Sequence, residues 1–103
     1  MLPEHYRKLR NKFEDEIGPA DWKSLRAHFV RDAIIIVDAS LDLIEVGIEA
    51  ADNKTDRIEA WINGGMLTKP SPEDARVWEK GEIELLSIIV APFVLVQHQS
   101  LTE

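Results

Sequence analysis

Apolar residues in this chain recur first at helical spacing, then in an unbroken β-branched run, then at helical spacing again. Tyr6, Leu9, Phe13 and Ile17 form one stripe and predict a helix over residues 3–17. Pro3 suits its first turn, where a missing N–H costs nothing, and Gly18-Pro19 ends it. Trp22, Leu25 and Phe29 predict a second helix over 21–31, with Asp21 and Arg31 each at the dipole end that favours its charge. The period then changes. Ala33-Ile34-Ile35-Ile36-Val37 reads as a strand buried on both faces, closed by Asp38.

A third helix is expected over 41–52 with Ser40 as its N-cap. Its expected buried stripe is Leu41, Ile44, Ile48 and Ala51, and its other side carries Asp42, Glu45, Glu49 and Asp52. Gly47 inside it costs about 1 kcal/mol relative to Ala, so either a neighbour packs closely there or the helix is weaker for it. Asn53 reads as the cap of a fourth helix over 54–63, burying Ile58, Trp61 and Ile62, with Gly64 as the left-handed residue that ends it. Residues 66–70 are extended, as a loop or a short edge strand that stops at Pro70. Ser71-Pro72-Glu73-Asp74 is the clearest local signal, a cap followed by a first-turn proline and acids. This fifth helix runs to Lys80, buries Ala75 and Trp78, and stops at Gly81. Strands follow at 86–90 and 93–98, with Pro92 as a kink or bulge between them, or a bend in one strand. The tail at 100–103 is expected to fray. The pattern predicts an α+β fold, a small two- to three-stranded sheet covered by four or five short helices, as one domain over 1–103.

Composition narrows the function. A chain of 103 residues that is 45% apolar has enough material for one core. With no cysteine, disulfide scaffolds, thiolate metal sites and a cysteine nucleophile are excluded. A net charge of −7 argues against binding nucleic acid by phosphate neutralisation. The charge is unevenly placed. Arg7, Lys8, Arg10, Lys12, Lys23, Arg26 and Arg31 crowd the first 31 residues, and the remainder is strongly acidic. That pattern suits two solvated faces, or complementary surfaces within the fold or between subunits. No signal-peptide core follows the first residues, and the longest apolar stretch, 85–96, is too short for a membrane helix. The expected location is the cytoplasm, with no membrane partner.

Several of these residues stand in the order of a known family. Trp22-x-x-Leu25-x-x-x-Phe29, the aliphatic strand ending in Val37-Asp38, and Leu41-Asp42-Leu43-Ile44-Glu45-Val46 come first. Trp61, Gly64 and Leu67 follow, then Val90-Ala91-Pro92-Phe93-Val94-Leu95-Val96-Gln97. This order resembles a small bacterial family catalogued as domain of unknown function 2288, over about residues 21–97. Phe93 stands where the family often has Trp, a swap that conserves packing. The resemblance implies a bacterial, cytoplasmic, single-domain protein and brings no activity with it.

Candidate chemistry is sparse. Asp38, Asp42 and Glu45 lie close in sequence, and a gathering of carboxylates would hold Mg²⁺ or Ca²⁺ through oxygen; the alternative is a solvated acidic helix face. His5, His28 and His98 have no metal-ligand spacing, and no serine lies in G-x-S-x-G. Ser40, His28 and Asp38 make a nucleophilic site on paper only. Gly64-Gly65 reads as a helix stop, since no Lys-Ser or Lys-Thr follows it. Residues 58–79 have a helix–turn–helix outline, but the second helix is too acidic to sit on phosphates. Trp22, Trp61 and Trp78 fall on apolar helix sides, more tryptophan than a small core needs. The reading that results is a non-catalytic protein-interaction or regulatory module. It is expected to be a homodimer that covers its sheet edges and to have a further protein partner, with Trp61, Trp78 and Phe93 as candidate interface aromatics. No cofactor is expected. The alternative is a small enzyme or divalent-metal protein using Asp38, Asp42 and Glu45.

Overall fold

Helices and strands are interspersed in a computed structural model that describes residues 3–81 and 83–98. The expected fraying at 100–103 lies outside the described residues. In chain order the elements are α1 (Glu4–Glu16), β1 (Gly18–Ala20), α2 (Trp22–Val30), β2 (Ile34–Val37), α3 (Leu43–Ala51), α4 (Thr55–Asn63), β3 (Leu67–Thr68), α5 (Pro72–Glu79), β4 (Leu85–Val90) and β5 (Phe93–His98). The five strands form one mixed sheet in the order β1-β4-β5-β2-β3. The expectation of two to three strands was too low. β1 was missed, and β3, left open as a loop or strand, does pair, Leu67 opposite Val37 and Thr68 opposite Ile36.

β2 and β5 are parallel at the centre, and the other pairings are antiparallel. β2 alternates as a doubly buried strand must. Ile34 and Ile36 pack with Leu25, Trp78, Leu85, Val94 and Val96 under α2 and α5. Ile35 and Val37 pack on the opposite face with Phe13, Leu43, Val46, Ile48, Ile88 and Leu95, under α1, α3 and α4. Two cores therefore flank the sheet. Pro92 does not kink a strand. It shares a two-residue turn with Ala91, and Val90 pairs with Phe93 across the resulting antiparallel hairpin. Among the described residues no helix is long and apolar enough to cross a membrane.

The helix ends differ from expectation in three places. Asp42, not Ser40, caps α3, because the Ser40 hydroxyl is turned to Asp38. Asn53 does not cap α4; it takes φ 57° in the turn between α3 and α4, a conformation Asn tolerates. Gly65, not Gly64, is left-handed after α4, with φ 77°. The α5 start is as read: Ser71 and Asp74 form a reciprocal capping box, with Pro72 in the first turn.

α3 is buried more widely than a single stripe. Leu43, Ile44, Val46, Gly47 and Ile48 are all buried, whereas Ala51 is exposed, because α3 is wedged between α1, α4 and the sheet. Gly47 is the point of closest approach. A Cβ there would lie 2.5 Å from Ile88 Cδ1 and 3.4 Å from Phe13 Cε2. Gly47→Ala gains about 1 kcal/mol of helix propensity but overpacks a filled core, which costs about 1–3 kcal/mol. We expect a net loss of up to about 2 kcal/mol in urea denaturation. Ile88→Val removes the obstructing Cδ1, so in that background Gly47→Ala should be close to neutral. An equal loss in both backgrounds would show that the contact does not set the cost.

Candidate functional site

The three acidic residues singled out above do not share one point: Asp42 and Glu45 both reach Arg10, and Asp38 bonds Ser40 instead. Asp38 follows β2 and folds back on the next turn, its Oδ2 accepting from the Ser40 backbone N–H at 2.9 Å and from its hydroxyl at 2.5 Å. These two bonds hold its carboxyl below the usual carboxylate range. Asp42 Oδ1 accepts from the N–H groups of Ile44 and Glu45 at the start of α3. Its Oδ2 lies 3.3 Å from Arg10 Nη2.

Glu45 faces α1 as well. It accepts the Tyr6 hydroxyl at 2.5 Å and lies 3.8 Å from Arg10 Nη1. That hydrogen bond, with burial, holds the Tyr6 hydroxyl above its ordinary pKa. Burial works against the Arg10 charge, but its bonds to Asp42 and Tyr6 outweigh that and raise its pKa. Further along α3, Glu49 pairs with Arg57 at 3.3 Å, and Asp52 lies 2.6 Å from His5 Nε2. The acidic face of α3 thus meets the basic side of α1 within the fold. Among the described residues no group of three or more His, Asp or Glu gathers at metal-ligating geometry.

The paper nucleophilic site is not assembled either. Ser40 donates to Asp38 itself, and His28 Nδ1 lies 2.9 Å from Arg31 Nη2. His98 takes the Trp78 indole N–H at 3.2 Å.

The three candidate interface aromatics separate. Trp78 is 2% exposed and fills the core beneath α5, so it offers no surface. Trp61 is half-buried, with the Arg57 guanidinium over its ring at 5.1 Å. Phe93 is 39% exposed at the hairpin tip.

Phe93 also lines an apolar cleft. It has a volume of about 470 Å³ and lies between α3, α4 and the sheet. Ile35, Val46, Ile58, Leu95 and Phe93 line it, together with Ile62, which was expected to be buried and is 52% exposed. Its polar residues, Asn53, Thr55, Thr68 and Lys69, are all exposed. Lys69 is engaged with Asp32 at 2.7 Å. The cleft exists because α4 rests lightly on the fold. None of its residues is fully buried, and only Ile58 and Trp61 pack against the core. No signal in the sequence marked the cleft, because Ile58, Trp61 and Ile62 fall on one helical side.

The sequence profile of a family described as a protein of unknown function, DUF2288, matches residues 8–98, which takes in most of α1 as well as the segments quoted above. The solution structure of PA1075 from Pseudomonas aeruginosa, determined by NMR, is similar in fold, with a TM-score of 0.77 and 31% identity. The match covers 97% of this chain and 93% of that one. No curated protein matches the chain significantly.

Proposed function

The chain belongs to the DUF2288 family, and from that premise we propose that it is a non-catalytic interaction module whose cleft takes up an apolar side chain of a protein partner. The cleft carries the reading. Ile62 and Phe93 leave large apolar side chains in water beside a concave apolar floor, and a partner group seated there removes both from solvent. Each apolar Å² so covered contributes about 25 cal/mol. The exposed polar residues around it supply orientation, as the polar rim of an interface does.

Photo-crosslinking tests this directly. Benzoylphenylalanine introduced at position 62 in bacterial cells should give one discrete protein adduct. The same group at position 30, where Val30 is 76% exposed on α2, should give none. Phe93→Asp should reduce the adduct at position 62 about tenfold by charging the cleft mouth. No adduct at position 62, or the same adduct from both positions, would remove the reading.

A further inference from the structure

α4 is the least anchored helix of the fold. Among the described residues it is the one helix with no buried side chain, whereas α1 buries Phe13, α2 Leu25, α5 Trp78 and α3 most of its length. Its N-cap residue is Lys54, whose ammonium has no acceptor to offer the first turn. Asp21, Asp42 and Ser71 do cap α2, α3 and α5. Asp56 in the first turn suits the dipole, but α4 has only nine residues. Isolated helices shorter than about 12–15 residues are marginal in water. α4 is therefore helical because it is docked, through Ile58 and Trp61 against the core and through the exposed Arg57, which meets Glu49 at 3.3 Å.

What this helix covers is apolar. Val46, Leu67 and Leu95 line the cleft and yet are buried, so the cleft as it stands presents little of its floor. α4 packs on α3 and β3, the elements that carry Val46 and Leu67. The turns before and after α4 are each built on one left-handed residue, Asn53 and Gly65, and from the first to the second no residue is buried. A segment with so few buried apolar contacts opens at a lower free energy than the whole domain unfolds.

We propose that α4 is the lid of the cleft. It releases from α3 and β3 as a unit, between Asn53 and Gly65, while the sheet and the other helices stay folded. Its release uncovers the apolar floor of Val46, Leu67 and Leu95. The lid takes its purpose from the docking role given to the cleft above, because a partner group gains this floor only when α4 has moved. The population of the open form then sets how much of the protein is competent to bind.

Native-state hydrogen exchange in low urea reads the opening with no partner present. The backbone amides of α4 should exchange faster than those of β2 and β5, and with a smaller urea dependence, because less surface is exposed. Trp78→Phe weakens the core on the other face of the sheet. It should speed exchange in β5 about fivefold or more and leave α4 unchanged, since only global unfolding feels that loss. A thiol at the floor gives a second reading in a chain that has no cysteine. Val46→Cys should react with an aryl disulfide reagent faster than Val96→Cys, which is buried in the opposite core. Its rate should be indifferent to Trp78→Phe and should rise about fivefold with Ala60→Gly, a substitution on the exposed side of α4 away from the cleft lining. Amides of α4 that follow Trp78→Phe as those of β5 do, or a Val46→Cys that reacts no faster than Val96→Cys, would overturn the lid. The docking reading fails separately, by an absent adduct at position 62.

Discussion

Phe13→Ala is expected to lower the free energy of unfolding by about 3–5 kcal/mol, the range for removing a large aromatic from a filled core. Phe13 is the one buried residue of α1 among those described, at 2% exposure. Its ring edge lies within about 3.5 Å of where a Cβ on Gly47 would sit, so a single side chain joins α1 to the closest contact of α3 with β4. Arg10, Lys12 and His5 also tie α1 down or brace it, but these pairs are partly or wholly exposed, and such ion pairs contribute only about 0–1 kcal/mol each. The ring, rather than the charges, should therefore decide whether α1 stays seated. Urea denaturation followed by far-ultraviolet circular dichroism measures this. The midpoint should fall sharply with an unchanged slope if α1 unfolds with the rest. A loss below about 1 kcal/mol would mean that the ion pairs and Tyr6 hold α1 without the ring.

What was legible in the residues follows the range of the interactions involved. Ser71, Pro72 and Asp74 state the start of α5 within four consecutive residues, and the capping box forms as read. The β-branched run of β2 was equally plain, since burial on both faces leaves no polar position to interrupt it. β1 was illegible for the opposite reason. Gly18-Pro19-Ala20 has the composition of a turn, and only its pairing with Leu85, Leu86 and Ser87, far along the chain, makes it a strand. The choice of cap at α3 turned on a local competition: Ser40 and Asp42 are both good cap residues, and Asp38 takes the Ser40 hydroxyl. The acidic face of α3 was read correctly as a face. Its partners on α1, Tyr6 and Arg10, come from more than thirty residues away, and spacing within one helix carries no information about them. The cleft was hidden because periodicity assigns Ile62 to the same side as Ile58 and Trp61. How lightly α4 rests on its neighbours is settled only by packing.

Trp78 shows the same limit from the other side, and its removal should be the second large loss. At 2% exposure it fills the core under α5 with Leu25, Ile34, Leu85, Val94 and Val96. Its indole N–H donates to His98 Nε2 at 3.2 Å, and the two rings meet edge to face at 6.1 Å between centroids. Trp78→Ala should cost about 3–5 kcal/mol. Trp78→Phe, which keeps a ring but loses the donor, should cost less, with about 0.5–1.5 kcal/mol of its loss due to the hydrogen bond. Trp78 sits on the α2 and α5 face, and the cleft opens on the opposite side of the sheet. The loss should therefore appear in thermal unfolding and not in capture: at a temperature where Trp78→Phe remains folded, the adduct formed from position 62 should match that of the parent chain. A variant as stable as the wild type but unable to form that adduct would return Trp78 to the interaction surface and move the binding site to the other face of the sheet.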